Sequence, residues 1–307
     1  MDEGEFLISR IFKKIKNKVF NIKESIYLKK FIGNSASGIY SFNKNDKDLY
    51  MAEKITKMPK MIHNNYNKDL ELIAIENRNI YWPNGINKKD LPWLYHEIFD
   101  DFFKNPSSYN NKNMHIASVE WVVDAGCCEG FFSLFVFERN KQTKIVALEP
   151  LKEMRKALLK TFELENKAGR FFLEEKALGK NNGLIKFKTN QDHLCDSSSI
   201  SNNKVADGIL GYDVKMTTLD QISTKYNLLQ NGLVKMDIEG AEMEALMGGV
   251  ELMKEYKPKL AIAVYHDYEN AAKCRDIILD ANPSYNIEFR GMYGYFKPPR
   301  PYILFAW

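Results

Sequence analysis

The segment VVDAGCCEGFFSLFVFE, residues 122–138, joins a short apolar strand to an apolar helix through a turn with two glycines. The strand ends at Asp124, and Gly126 and Gly130 permit a tight turn and a close approach of a ligand to the backbone. The glycine spacing, G-x-x-x-G, differs from the G-x-G-x-x-G of dinucleotide-binding enzymes, and no lysine follows as a phosphate-binding loop requires. The turn therefore predicts a cofactor loop that lacks a pyrophosphate-binding device.

A second acid ends the next predicted strand, KIVALEP, where Glu149 follows the loop. An acid at this place can accept hydrogen bonds from both ribose hydroxyls of an adenosine group. Asp124 would repel a phosphate, and it suits a cationic ligand that carries an ammonium or sulfonium group. Each acid alone is also compatible with a helix cap or an exposed strand end, but together they favour S-adenosylmethionine.

Apolar runs alternate with helical patterns after residue 119, which indicates βαβ units and a parallel sheet. Strands are predicted at 120–124, 144–149, 171–177, 233–237, 260–265, 285–290 and 302–306, and helices at 130–139, 152–165, 218–226, 241–255 and 268–280. The connection between the last two strands is too short for a helical crossover, so these strands should be antiparallel neighbours. Two further short strands, GLIKFKT and YDVKMTTLD, flank a long polar loop, NQDHLCDSSSISNNK, of a kind that is often functional.

The N-terminal third has a different pattern. Residues 5–32 predict a basic amphipathic helix that packs on its own domain or on a second copy in a homodimer, or contacts a membrane surface. A further helix is predicted at 90–103, with Asp90 as its cap and Pro92 in its first turn. We therefore expect a mainly helical region over residues 1–115, acting as a substrate cap, partner or dimer contact, and a cofactor-binding domain over residues 116–307.

Composition excludes several classes of protein. The formal net charge of +4 over 307 residues is too small to indicate nucleic-acid binding. No apolar run of about 18 residues predicts a transmembrane span, and no signal peptide is visible. The four cysteines have no zinc-site spacing, and this usage fits a reducing compartment. We expect a soluble, cytoplasmic protein.

Two later strand ends carry candidate catalytic groups. In GLVKMDIEGAEMEAL, residues 232–246, Asp237 ends a buried strand and Glu239 follows two residues on, so both carboxylates face the same way if the chain stays extended. The alternative is that these acids cap the following helix. In LAIAVYHDY, His266 ends another strand, and although a lone histidine is more often structural, this side chain can accept a proton near neutral pH.

These motifs carry a resemblance to a known family. WVVDAGCCEGFFSLF, IVALEP, VKMTTLDQI and LVKMDIEGAEMEALMGG, in this order, resemble the FkbM-type S-adenosylmethionine-dependent methyltransferases over roughly residues 118–307. The resemblance implies a class I methyltransferase fold, with seven strands and the last one inserted antiparallel, and usually O-methylation of small or carbohydrate-like substrates. Family loops often have alanine and asparagine where this chain has Cys127 and Cys128, which we expect to be small packing residues. The predicted cofactor contacts are Asp124, Gly126, Cys128, Glu129, Gly130, Phe131, Glu149, Pro150, Ala177 and Asp237.

For the reaction, we expect His266 to act as the base, with Asp237 and Glu239 orienting the acceptor or the histidine. A divalent metal bound by these three residues and Asp192 is a less favoured variant, because no ligand spacing is diagnostic, and no metal site is predicted. Substrate contacts are expected from the polar loop and from FRGMYGYFKPPRPY, where aromatic rings can stack on a sugar and arginines can pair with a phosphate. The latter stretch can equally be an ordinary connection. These predicted contacts are Asp192, His193, Ser198, Arg290, Tyr293, Tyr295 and Arg300.

The predicted acceptor is a hydroxyl of a nucleotide sugar or a surface saccharide. N-methylation of an amine and O-methylation of a lipid or polyketide remain alternatives within the enzyme class. A non-catalytic S-adenosylmethionine-fold module is the alternative from another class.

Overall fold

The computed structural model describes residues 29, 39–40, 59–101, 105, 107–188, 198–200, 211–293 and 300–307. The helix predicted over residues 5–32 lies outside the described residues, apart from Lys29. No helix in the described ranges is both long enough and apolar enough to cross a lipid bilayer.

Strands and helices alternate along most of the described chain. The strands are β1 (Met61–Asn65), β2 (Leu70–Ile75), β3 (Arg78–Pro83), β4 (Trp121–Ala125), β5 (Lys144–Leu148), β6 (Phe171–Glu174), β7 (Ala177–Leu178), β8 (Gly183–Lys188), β9 (Ser198–Ile200), β10 (Gly211–Thr217), β11 (Gly232–Met236), β12 (Lys259–Ala263), β13 (Ile287–Tyr293) and β14 (Arg300–Ala306). The helices are α1 (Leu91–Phe99), α2 (Phe131–Arg139), α3 (Lys152–Thr161), α4 (Glu163–Lys167), α5 (Leu219–Tyr226), α6 (Glu242–Met247), α7 (Val250–Tyr256) and α8 (Asn270–Ala281). Two 3₁₀ turns, Lys112–Met114 and Ile116–Ser118, precede β4.

A seven-stranded sheet forms the centre of the molecule, in the order β13-β14-β12-β11-β4-β5-β6. All neighbours from β12 to β6 are parallel, whereas β14 runs antiparallel to both β12 and β13. Every residue of β4, β11 and β14 is buried, as expected for strands covered on both faces. The predicted parallel sheet with antiparallel final neighbours is confirmed.

Two predicted helices are divided in the structure. The helix predicted at 152–165 ends at Thr161 and restarts at Glu163. The helix predicted at 241–255 breaks at Gly248 and Gly249, where close packing leaves no room for side chains. A Cβ on Gly248 would lie 2.3 Å from the carbonyl oxygen of Gly179.

The N-terminal region differs from the expectation over residues 61–83. These residues form an antiparallel sheet in the order β1-β2-β3, so the prediction of a mainly helical region is wrong for them. The cause is a period-two pattern that buries Ile73, Ile75, Ile80 and Trp82. These side chains belong to the same core cluster as Phe131 of the central domain. The helix predicted at 90–103 is confirmed for Leu91–Phe99, although Asp90 makes no side-chain capping hydrogen bond.

A four-stranded sheet, in the order β7-β10-β8-β9, lies beside the main one. It contains both additional strands predicted from the sequence. The polar loop between them is described only at Ser198–Ile200, which pairs with β8. Asp192 and His193, two predicted substrate contacts, lie outside the described residues.

Candidate active site

A cavity of about 300 Å³ lies at the carboxyl ends of β4 and β11. Open α/β sheets bind ligands at this edge, where the loops that follow parallel strands meet. The wall combines the loop after β4, the loop after β11, one face of α1 and several aromatic rings. The lining residues are Asp90, Trp93, Leu94, Glu97, Ile98, Tyr109, Gly126, Cys127, Cys128, Glu129, Phe132, Lys235, Asp237, Glu239, Tyr265 and Tyr302.

The two loops are packed backbone against backbone at Gly126. This glycine has φ of +72°, and a Cβ there would lie 1.8 Å from the carbonyl oxygen of Asp237. Cys128 and Glu239 also have positive φ, 38° and 58°, although neither is a glycine. Such backbone conformations are unfavourable for L-residues and cluster at functional sites. The strain at both loops therefore supports a functional cavity.

Glu149 supports the first loop from within the protein. Its side chain is buried, and its two carboxylate oxygens accept hydrogen bonds from the backbone N–H groups of Cys128 and Leu151, each at 2.8 Å. Burial raises the pKa of this carboxyl to about 7, against the lowering effect of those two hydrogen bonds. Each carboxylate oxygen has a second lone pair and can still accept a hydrogen bond from a ribose hydroxyl. The contact of Glu149 with ribose stays a prediction.

Asp124 is fully buried and does not line the cavity. Its Oδ2 accepts a hydrogen bond from Ser133 Oγ at 2.7 Å, and its Oδ1 lies 3.4 Å from Lys235 Nζ. The expectation that its charge attracts the ligand directly is therefore wrong, because the charge is buried against a lysine. Asp124 instead fixes the base of the loop.

Lys235 contacts the loop after β4, and it was not among the site residues predicted from the sequence. It is buried in β11, and its Nζ donates a hydrogen bond to the carbonyl oxygen of Gly126 at 2.8 Å. Burial opposes its charge, but the carboxylates of Asp124, Asp237 and Glu129 hold the pKa of the ammonium above its usual value. A lysine within the otherwise apolar run GLVKM was the available signal, since a buried lysine needs charged partners.

The other predicted cofactor residues divide into two groups. Gly126, Cys128, Glu129 and Asp237 meet at the cavity. The rest lie behind or beside it. Phe131 is fully buried, and Gly130 packs so closely on Phe162 that a Cβ would lie 2.8 Å from the ring.

Pro150 and Ala177 lie towards the four-stranded sheet. The carbonyl oxygen of Pro150 accepts a hydrogen bond from Tyr212 Oη, and Pro150 lines a separate cavity, whereas Ala177 of β7 pairs with Met216 of β10. Neither residue lines the cavity at β4 and β11.

The two adjacent cysteines have different states. Cys127 is buried with a free thiol, as expected for a small packing residue. Cys128 is disulfide-bonded, so the expectation that both are free packing residues is wrong for it.

His266 lies among three carboxylates. Its Nε2 is 3.6 Å from Asp237 Oδ1 and 3.4 Å from Glu239 Oε2, and its Nδ1 is 3.2 Å from Glu242 Oε1. Burial alone would lower the pKa of the imidazole, but the hydrogen bonds and charges of these carboxylates raise it well above its usual value. The structure thus brings the three predicted catalytic residues together, but a protonated imidazole outside the cavity lining is poorly suited to accept a proton.

Glu242 is the further member of this cluster. It is fully buried, and it accepts hydrogen bonds from the backbone N–H groups of Ile238 and Gly240 and from Asn270 Nδ2. The alternative that Asp237 and Glu239 cap the following helix is wrong, because the N-cap residue of α6 is Ala241 and this helix has no side-chain capping hydrogen bond. Asp237, Glu242 and His266 have ligand atoms within 4.8 Å of one another, a spacing that a metal ion would fit. The hydrogen bonds already made by both Glu242 oxygens weigh against one.

Asp237 retains an unsatisfied acceptor. Its Oδ2 accepts a hydrogen bond from Tyr109 Oη at 3.2 Å, but its Oδ1 is buried and has no hydrogen-bond partner among the described residues. Buried acceptors without partners are rare. A cationic group bound in the cavity, such as the ammonium of a methionine moiety, would satisfy this oxygen, so the residues present fit S-adenosylmethionine.

Two further polar residues, Glu97 and Tyr302, line the cavity, although neither belongs to the sequence motifs that predicted the site. Glu97 of α1 is buried and accepts a hydrogen bond from the Tyr302 hydroxyl of β14. Burial raises the pKa of the Glu97 carboxyl to about 8, with the Asp237 and Glu129 charges adding to the effect and the Tyr302 hydrogen bond opposing it. The sequence offered a signal in DLPWLYHEI, where Asp90, Trp93 and Glu97 fall on one face of a helix.

Two of the predicted substrate residues, Arg290 and Arg300, are not among the residues that line this cavity. Arg290 Nε lies 3.9 Å from Glu288 Oε1, and Arg300 is buried in β14. Tyr293 pairs through its backbone with Arg300, Ser198 pairs through its backbone with Lys188, and Tyr295 lies outside the described residues. The structure therefore does not bring Arg290 or Arg300 to the cavity, and the other predicted substrate contacts stay predictions.

The chain is similar to known methyltransferases in sequence. A family model described as the methyltransferase FkbM domain matches residues 124–285, more than half of the chain. The chain belongs to the FkbM methyltransferase family. Residues 124–285 therefore form an S-adenosylmethionine-dependent methyltransferase domain, and the strand order of the main sheet is that of the class I methyltransferase fold.

Individual relatives are distant. The methyltransferase sdnD of Sordaria araneosa is 27% identical over 204 residues, which cover 58% of this chain and 75% of that protein. The AMB antimetabolite synthetase AmbE of Pseudomonas aeruginosa is 22% identical over 201 residues, which are 53% of this chain and 9% of that protein. The crystal structure of an FkbM methyltransferase from Methylobacillus flagellatus KT is 19% identical with a TM-score of 0.45, and the match covers 71% of this chain and 59% of that chain.

Proposed function

We propose that this protein transfers a methyl group from S-adenosylmethionine to a hydroxyl of an uncharged saccharide. The observation that supports the acceptor class is the composition of the cavity wall. Five aromatic rings, those of Trp93, Tyr109, Phe132, Tyr265 and Tyr302, line the same space as five carboxyl groups and one lysine.

This wall fits a sugar better than a phosphate. Aromatic rings present flat apolar faces for the C–H surface of a pyranose, and carboxylates accept hydrogen bonds from its hydroxyls. The same carboxylates, with only Lys235 among them, would repel the phosphates of a nucleotide sugar. A saccharide without phosphate close to the reacting hydroxyl is therefore favoured over a nucleotide-linked one.

The donor is held, in this proposal, by the loop Gly126–Glu129 and by Asp237. S-adenosylmethionine supplies an electrophilic methyl group on a positively charged sulfur. Asp237 Oδ1, which has no hydrogen-bond partner among the described residues, would accept a hydrogen bond from the donor's ammonium, and Lys235 holds the loop through the carbonyl of Gly126. His266, whose pKa the neighbouring carboxylates raise, holds Asp237 and Glu239 in place from behind the cavity.

The test incubates the protein with labelled S-adenosylmethionine and one of several matched acceptors. Mass spectrometry then detects methyl transfer to each acceptor. Unphosphorylated mono- and oligosaccharides should gain one methyl group, and the corresponding nucleotide sugars should react more slowly. Faster reaction of the nucleotide sugars would refute the acceptor class. Failure to bind S-adenosylmethionine in a calorimetric titration would refute the donor assignment.

N-methylation of an amine is the second candidate. Five carboxyl groups around aromatic rings also fit an ammonium, which is attracted by negative charge and by π faces. Amine analogues of the best saccharide, included in the same assay, distinguish the two. Donor binding without transfer to any acceptor would favour a non-catalytic binding module.

A further inference from the structure

We propose that Glu97 accepts the proton of the acceptor hydroxyl and so acts as the general base of the methyl transfer. This inference rests on the proposed function and extends it to a residue outside the methyltransferase domain match at 124–285. Its basis is the way α1 and β14 present a buried carboxyl to the cavity.

The whole inner face of α1 lines the cavity. Its contributing positions, 90, 93, 94, 97 and 98, follow the i, i+3, i+4, i+7 and i+8 spacing of one helical face. The cofactor loop contributes another part of the wall, through residues 126–129. An acceptor in this space is therefore in reach of α1 and next to the donor site.

Among the carboxyl groups of this wall, Glu97 is the one best placed to accept a proton from an acceptor. Asp237 accepts the Tyr109 hydroxyl and lies beside protonated His266, and Glu239 Oε2 lies 3.4 Å from the same imidazole. Glu129 belongs to the donor loop.

Asp90 is exposed at the start of α1. Glu97, in contrast, is buried and is oriented by a neutral hydroxyl, that of Tyr302. A base held by a neutral donor keeps more of its proton affinity than one held by a cation.

Methyl transfer to the acceptor oxygen releases one proton, which Glu97 accepts. The acceptor O–H bond breaks and its proton passes to the Glu97 carboxylate. The freed oxygen lone pair forms a bond to the methyl carbon of the sulfonium donor, and the carbon–sulfur bond breaks with its electron pair remaining on sulfur. The products are a methyl ether, a neutral thioether and a protonated Glu97, which loses its proton to solvent before the next turnover.

The environment of Glu97 sets the pH at which it can act. Burial raises its pKa to about 8, the Tyr302 hydrogen bond from β14 lowers it, the charges of Asp237 and Glu129 raise it, and Lys235 lowers it. A base must be ionised, so activity rises as the pH increases through about 8 and levels off above it.

The first test is Glu97→Gln, which preserves shape and keeps an acceptor for the Tyr302 hydroxyl. Transfer to the acceptor should fall about 10²- to 10⁴-fold, the range expected for loss of a general base, and the pH dependence near 8 should disappear. Donor affinity, measured by calorimetry, should stay within about threefold of wild type. The matched control is Glu251→Gln, an exposed helical glutamate outside the cavity, which should behave as wild type.

The second test needs no turnover. Infrared difference spectroscopy of the free protein should show a protonated carboxyl that titrates near pH 8 in wild type and in Glu251→Gln, and that is absent in Glu97→Gln. Tyr302→Phe removes the hydrogen bond that lowers the Glu97 pKa, so the infrared midpoint and the activity midpoint should both move to higher pH. A purely structural role for Glu97 would move the infrared midpoint but leave the activity midpoint unchanged.

The outcomes separate this inference from the proposed function. If no donor binds to the wild type, the proposed function fails. If donor binds and Glu97→Gln transfers methyl within threefold of wild type, the role of Glu97 fails while the proposed function stands. A wild-type activity midpoint unmoved by Tyr302→Phe would also overturn the role of Glu97, even if the glutamine variant does not fold.

Discussion

At the scale of single residues, the site depends on charges that neutralise one another inside the protein. Lys235 is the buried cation that Asp124, Asp237 and Glu129 share. Removing one partner of a buried ion pair destabilises a protein more than removing a charge from its surface. The reason is that the remaining charge stays buried without a compensating partner.

Lys235→Met should therefore lower the free energy of unfolding by roughly 3–5 kcal/mol at neutral pH. The loss should shrink at about pH 5, where carboxyls of raised pKa take up protons and no longer need a cation. Urea unfolding at both pH values measures this. Lys254→Met, at an exposed helical lysine, is the control and should change stability by less than about 0.5 kcal/mol. An equal loss in both variants would contradict the role given to Lys235.

Gly126 and Gly169 form a matched pair for the backbone contact between the two loops. Both have positive φ, +72° and +67°, but a Cβ on Gly126 would collide with the Asp237 carbonyl, whereas nothing lies within 4 Å of one on Gly169. Gly169→Ala should cost roughly 1–2 kcal/mol from backbone conformation alone.

Gly126→Ala should cost about 1–3 kcal/mol more, as overpacking does, and should weaken donor binding because the loop must move. Urea unfolding and calorimetric titration with S-adenosylmethionine measure the two effects. Equal stability losses at the two glycines would show that the loops can separate without cost.

At the scale of elements, α1 gives the cavity a wall that the central sheet does not provide. Arg78 of β3 anchors this region to the methyltransferase domain, with hydrogen bonds of 2.8 and 2.9 Å to Glu138 and its guanidinium over the Phe99 ring. Helix α1 is thereby held against α2, and its inner face is fixed towards the cavity.

Trp93→Ala should accordingly raise the KM for the acceptor about tenfold or more, since loss of an aromatic contact surface removes roughly 1.5–3 kcal/mol of binding. Donor affinity should be unchanged, because the donor loop is not altered. His96→Ala on the same helix, where the side chain pairs with Asp100 away from the cavity, is the control for changes in helix stability. A parallel change in acceptor KM in both variants would assign the effect to the helix rather than to the ring.

At the scale of the whole molecule, the buried carboxyls set how stability depends on pH. Burial raises the pKa values of Glu97, Glu129 and Glu149 to about 8, 7 and 7. In the unfolded chain these groups return towards about 4.5, so the folded state binds more protons between these values.

The stabilisation that these groups contribute should therefore be fully present below about pH 4.5 and should be lost as the pH rises from there to about 8. His266 acts in the same direction, because its pKa is also raised on folding. Urea unfolding across this range checks the slope, and Glu97→Gln should flatten its upper part while Glu251→Gln leaves it unchanged. A stability that rises with pH would contradict the protonation states described for the site.

Sequence patterns predicted the main sheet because its strands are short apolar runs separated by helices of regular period. The cofactor loop was equally local, since Gly126, Cys128 and Glu129 lie within four residues of chain. The sheet of residues 61–83 differs from the predicted helical region, because the period-two pattern of LELIAI and NIYWP is short and its strands are stabilised by pairing with one another. The helix break at Gly248 depends on contact with Gly179, a distant residue that no local pattern includes.

The sequence by itself determined the strand and helix order of the methyltransferase domain, the position of its cofactor loop and the cluster of Asp237, Glu239 and His266 at neighbouring strand ends. These features follow from periodicity and from residues close together along the chain. Only the tertiary structure decided which charges neutralise one another, that Asp124 is buried against Lys235, and that Glu97 and Tyr302 share the cavity. Burial and charge pairing depend on packing between segments as far apart as α1 and β14, and these distances in space are not encoded in any local pattern.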